Sequence, residues 1–280
     1  MKIITSANVP TAVYAHEIGG NWSSMNMSES IKMICRMKKC SCGEKQIYQV
    51  LLLFEDLRCL RVENIDRFQK ALFENIADNE QCLDHWAEGK AALTLASNGF
   101  QVIYEPFGRS GPDLSASCSG YRFYVEVSRF REDYETSQKL SQKLEECNGT
   151  LVEYGRGEKD VERVYGKILS KAKQLPENET GLVFLQSDND RIEEIEFEEV
   201  TPYLDRLVSE QNLLTKLSGV LFDSGWVKFP TREHFYLWRN PKAEKPINDL
   251  LAGKLQGLKE PPTHSRDELS ELKHRFHISE

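Results

Sequence analysis

No stretch of this chain approaches the roughly eighteen consecutive apolar residues that a membrane-spanning helix needs, and Val50-Leu-Leu-Leu-Phe54 falls far short. A Gly-x-Ser-x-Gly nucleophile elbow is missing, which argues against a Ser-His-Asp hydrolase of that type. Gly155-Arg-Gly157 is too short to be a phosphate-cradling fingerprint. Positive charge is not in excess: 36 Lys and Arg against 44 Asp and Glu give a net charge of −8 and a pI near 5.5. That balance opposes broad, non-specific polyanion binding but permits a local basic groove. Seven cysteines, an odd number without framework spacing, and no secretory apolar segment after Met1-Lys-Ile-Ile lead us to expect a cytoplasmic protein with reduced thiols. Internal repeats and low-complexity tracts are also lacking.

What is present is an ordinary globular composition, 40% hydrophobic and 29% charged over 280 residues. The most informative stretch is Arg109-Ser-Gly-Pro-Asp-Leu-Ser-Ala-Ser-Cys-Ser-Gly-Tyr-Arg-Phe-Tyr-Val-Glu-Val-Ser128. Cys118-Ser-Gly-Tyr121 reads as a tight turn between two alternating strands, because Gly120 can adopt the positive φ of a two-residue hairpin loop. With Ser119 and Gly120 as the loop, paired residue numbers sum to 239. Leu114, Ala116, Cys118, Tyr121, Phe123, Val125 and Val127 then form a core face. Asp113, Ser115, Ser117, Arg122, Tyr124, Glu126 and Ser128 form the other. Asp113 faces Glu126, and opposed carboxylates repel unless a positive group lies between them. A hard divalent cation would offset the repulsion, and so would Arg109, Arg122 or a lysine.

Pro112-Asp113, a spacer, then Glu126-Val127-Ser128 resembles the PD-(D/E)xK signature of the restriction-endonuclease-like nuclease superfamily. Ser128 stands where that signature has its lysine. The resemblance implies a mixed sheet flanked by helices, over roughly residues 80–240. It also implies phosphodiester hydrolysis with Mg²⁺ or Mn²⁺ held by Asp113 and Glu126, assisted by Glu88 and the Val127 carbonyl. Glu88 itself lies on the inward stripe of a predicted helix with Ala91, Ala92 and Leu95, where a carboxylate needs a partner. His85, Lys90 or solvent would serve equally.

A replacement lysine is sought beyond the hairpin, where Arg129, Arg131, Lys139 and Lys143 form a basic patch. Lys139 and Lys143 are i,i+4 neighbours on an expected helix. Ser128 would at best position water, and Arg109, Arg129 and Arg131 would meet the substrate backbone. DNA is the expected partner, with RNA as the alternative substrate; no membrane partner is expected, and the oligomeric state is open. The competing reading is a catalytically degenerate nuclease-like scaffold that binds nucleic acid or protein, which the missing lysine and acidic pI favour.

The remaining elements follow in order. Cys35, Cys40 and Cys42, with Cys59 or His16, match no standard zinc spacing and are read as free thiols. Gln46–Phe54 reads as a strand and Asn64–Ala77 as a helix capped by Asn64. A second helix runs over about 80–98 and stops at Gly99. Phe100–Glu105 reads as a strand, Val161–Leu175 as an amphipathic helix and Thr180–Gln186 as a buried strand. An acidic loop over Asp188–Glu199 precedes a helix opening at Thr201-Pro202 and reaching about Leu217. Gly219–Asp223 and His234–Trp238 complete the strands. The fold class is therefore α/β: residues 1–78 form an N-terminal α+β extension, 79–242 a nuclease-like core and 243–280 a charged tail.

Overall fold

The computed structural model describes residues 44–75, 78–130, 158–187, 194–210, 214–223 and 235–261. Cα packing divides the chain into two units, one of residues 1–60 and 264–280, the other Arg61–Thr263.

In the first unit the described part is helix α1, Glu44–Cys59. This overturns the strand reading of Gln46–Phe54. An apolar run of that length suits either state, and continuation decides it. Val50, Leu53, Phe54 and Leu57 are buried at helical intervals, which carries the pattern past the run.

The second unit is a six-stranded mixed sheet with flanking helices, an α/β architecture. Helices α2 (Ile65–Glu74) and α3 (Asn79–Ser97) precede strands β1 (Gln101–Tyr104), β2 (Leu114–Cys118) and β3 (Tyr121–Phe130). Helix α4 (Glu158–Ala172), β4 (Gly181–Ser187), α5 (Glu194–Glu210), β5 (Gly219–Asp223), β6 (Phe235–Arg239) and α6 (Asp249–Gln256) follow. The strands lie side by side in chain order. β1, β2 and β3 form an antiparallel meander, β3, β4 and β5 are parallel, and β6 returns antiparallel.

The hairpin register is the one expected from the sequence: all five β2–β3 pairs, from Leu114↔Val125 to Cys118↔Tyr121, sum to 239. Ser119 and Gly120 have φ of 50° and 83°, the two positive values of a type I′ turn. Helix α3 ends as anticipated at Gly99 (φ 83°). There the Phe100 N–H reaches the Leu95 carbonyl and the Gly99 N–H the Ala96 carbonyl, a Schellman closure.

Two of the expected helix limits are corrected. Helix α5 begins at Glu194, so Glu194–Glu199 are helical rather than loop and Pro202 lies inside the helix. Val200, Leu204 and Val208 are buried four residues apart, so the stripe that holds the helix to the core starts before the proline and outweighs its cost. α5 ends at Glu210 instead of Leu217, and Leu214–Leu217 forms a turn. Helix α6 lies within the stretch read as tail, capped by Asn248, whose side chain accepts from the Leu251 N–H.

Alternation along β3 gives the two faces different helices. Phe130 joins Val183, Leu185, Val220, Phe222 and Trp238 in the core shared with α4 and α5. Glu126 and Ser128 point to that same face. Arg129 and Tyr104 point to the other, where they meet side chains of α3.

Candidate active site

β1 ends at Tyr104, and β2 begins one residue after Asp113, so the end of the meander exposes a short stretch of ladder. Asp113 completes it with its side chain: the Val127 N–H donates to Asp113 Oδ2 at 2.7 Å. Its backbone carbonyl accepts from Glu105 N–H at 2.7 Å. Asp113 is thereby fixed beside Glu126, whose side chain is 0% exposed.

The positive group between them is Lys171, near the end of α4. Its Nζ donates to Glu126 Oε2 at 2.9 Å and to Asp113 Oδ2 at 3.3 Å. Sequence reasoning looked for this lysine at 139 and 143, which lie with Arg131 outside the described residues. A signal for Lys171 was present. Val164, Ile168, Lys171 and Leu175 follow one another at helical intervals, so Lys171 shares the inward stripe of α4, as Glu88 shares that of α3.

Burial governs the electrostatics. It pushes Asp113 up to about 8, helped by the Glu88 charge and then by Glu126, while Lys171 and the Val127 N–H oppose the rise. Burial also raises Glu126, against the pull of Lys171. For Lys171 burial works downward, but the Asp113 and Glu126 carboxylates outweigh it and the ammonium is held more firmly than usual.

Glu88 approaches from α3. Its Oε2 accepts from the Tyr104 hydroxyl at 2.6 Å and lies 3.0 Å from His85 Nδ1. Its charge is felt at both Asp113 and Glu126. His85, one of the partners expected from the sequence, is the one engaged.

The other expected residues are placed as follows. Arg109 is exposed and pairs with Glu74. Arg129 is buried, with Nε 3.1 Å from Asp84 Oδ1, and its backbone carbonyl accepts from Lys167 Nζ at 2.8 Å. Ser128 is buried on the Glu126 face. Val127 enters the site through its N–H. Phe107, 58% exposed, stacks obliquely on Tyr124 at 5.3 Å between centroids, two residues before Glu126 on the same face.

Among the described residues no three Asp, Glu, His or Cys side chains are already gathered around an ion-sized space. The donor chemistry nevertheless fits a hard cation. Glu126 Oε1 is buried without a hydrogen-bond partner, and two adjacent carboxylates are a usual protein share of an Mg²⁺ shell. No helix among the described residues is long and apolar enough to cross a membrane. No family model, curated protein or solved structure matches the chain.

Proposed function

We propose that this protein is a metal-dependent phosphodiesterase acting on DNA, with a restriction-endonuclease-like core in which the lysine has moved from the position of Ser128 to Lys171. The observation that carries this reading is the Lys171 ammonium reaching both Asp113 and Glu126 from α4. The order α3, antiparallel β1–β2–β3, α4 and parallel β4 supports the same assignment.

Asp113 and Glu126 would hold Mg²⁺ or Mn²⁺, with Glu88 and the Val127 carbonyl assisting. When bound, the metal would polarise the scissile phosphate and lower the pKa of an attacking water. Lys171 orients that water and offsets the negative charge that builds on the phosphoryl oxygens. Glu126 is fully buried while Lys171 and Asp113 are partly exposed, so the two exposed groups are open to an incoming phosphate. Phe107 offers an exposed ring to a nucleobase beside the site; such stacking contributes about 1–3 kcal/mol per base.

The test is cleavage of supercoiled, linear and single-stranded DNA in Mg²⁺ and Mn²⁺ by the wild type and by Asp113→Asn. Cleavage by the wild type alone is expected. Equal cleavage by the variant overturns the assignment. DNA binding that persists in chelator, with no cleavage by either protein, transfers the case to the scaffold reading.

A further inference from the structure

Glu88 is held differently from the other two carboxylates. Asp113 and Glu126 share an ammonium, whereas Glu88 is held by a phenol and an imidazole, and both converge on one oxygen. Its other oxygen, Oε1, accepts no hydrogen bond among the described residues.

Both donors are themselves anchored. The Tyr104 ring is buried and meets Phe68 edge-on at 5.3 Å. Its N–H donates to the Glu63 carbonyl at 3.1 Å, and its carbonyl accepts from Asn64 Nδ2 at 2.9 Å. This contact also explains why Asn64, at the expected cap position of α2, makes no side-chain cap bond. His85 Nε2 lies 3.1 Å from Asn75 Nδ2, and that amide is oriented by its bond to the Ala71 carbonyl at 2.9 Å. Nδ1 faces Glu88, whose hydrogen bond and charge favour a proton there, so the ring donates to the carboxylate.

These two donors fix the Glu88 carboxylate in place. We propose that Tyr104 and His85 are positioning residues that clamp Glu88 Oε2 and so present Oε1 to a cation shared with Asp113 and Glu126. The inference rests on the metal reading of the preceding subsection and assigns its third carboxylate a support that reaches through His85 to Asn75, at the end of α2.

The experiment measures Mn²⁺ affinity by calorimetry and by loss of the free-ion paramagnetic resonance signal, with far-UV circular dichroism and melting as fold controls. Tyr104→Phe removes only a hydroxyl and should weaken Mn²⁺ binding about tenfold, the usual effect of losing a residue that orients a ligand. His85→Leu should do the same, and His85→Gln, which keeps an N–H donor, should recover most of the loss. In a Glu88→Gln background neither Tyr104→Phe nor His85→Leu should matter further. Unchanged affinity in Tyr104→Phe and His85→Leu, or an equal loss with and without Glu88, overturns the inference alone if binding still depends on Asp113. Mn²⁺ binding that is absent, or identical in Asp113→Asn, overturns the metal reading and this inference together.

Discussion

Strands β3 and β4 lie side by side in parallel over seven paired positions, and both are buried, yet they are made of different material. β4 is Gly-Leu-Val-Phe-Leu-Gln-Ser, nearly continuous apolar side chains, as a strand covered on both faces should be. β3 buries Glu126, Ser128 and Arg129 at the same depth. An ionised carboxylate there costs stability that an apolar residue would not. β4 sets Val183 and Leu185 beside Glu126 and Ser128, so the sheet does not require a carboxylate at that depth, although Gln186 is buried beside Arg129. A buried carboxylate at Glu126 is what the proposed site would ask of this strand, whereas Arg129 pairs with Asp84 of α3.

Substitutions at matched depth on the two strands break this contrast most sharply. Glu126→Gln should reduce cleavage to background while leaving the melting temperature unchanged or higher, since it removes a buried charge. Phe184→Ala, in the adjacent strand, should cost about 3–5 kcal/mol in denaturant unfolding and leave the Mn²⁺ affinity of the folded fraction intact. A large stability loss from Glu126→Gln would mean that its pair with Lys171 is structural.

The pH dependence is the next largest effect. Asp113 holds its proton up to about 8 when folded, whereas an unfolded aspartate releases it near 4. The folded chain therefore binds the extra proton between these values. The stability from this group is full below about pH 4 and lost as the pH rises towards 8. Metal-free wild type should lose stability over that window more steeply than Asp113→Asn, measured by denaturant titration at several pH values. Parallel curves would remove Asp113 from the electrostatic account.

The smallest effect is expected at Arg109, an exposed partner of Glu74. Arg109→Ala should leave both melting and cleavage within error, as an isolated surface pair contributes little. A marked fall in DNA affinity would restore its role at the substrate backbone.

The hairpin was legible because its turn and alternation act locally. Ser119-Gly120 fixes the loop, and a slip of one residue would turn Leu114, Phe123 and Val125 outward. Gly99 and the apolar runs of β4 and β5 were legible for similar reasons. Gln46–Phe54 was not, because its residues suit either state and the deciding signal, Leu57, lies outside the run. Pro202 misled because a proline marks a helix start only when nothing upstream belongs to the same buried stripe.

Half of the site was visible in the same way. Asp113 and Glu126 follow from the hairpin register. Lys171 comes from 45 residues beyond Glu126, and only the packing of α4 on β3 and β4 brings it there. Its place on the stripe of Val164, Ile168 and Leu175 was nevertheless the signal that singled out Glu88. Tyr104 and His85 were harder to assign, since a buried tyrosine and a helix histidine have many structural uses.

The most direct test of the central claim, that Lys171 stands in for the lysine missing at Ser128, is the cleavage rate of Lys171→Met in saturating Mn²⁺, with Mn²⁺ affinity measured on the same preparation. The account expects cleavage at background with Mn²⁺ binding retained. Wild-type cleavage by this variant would contradict it.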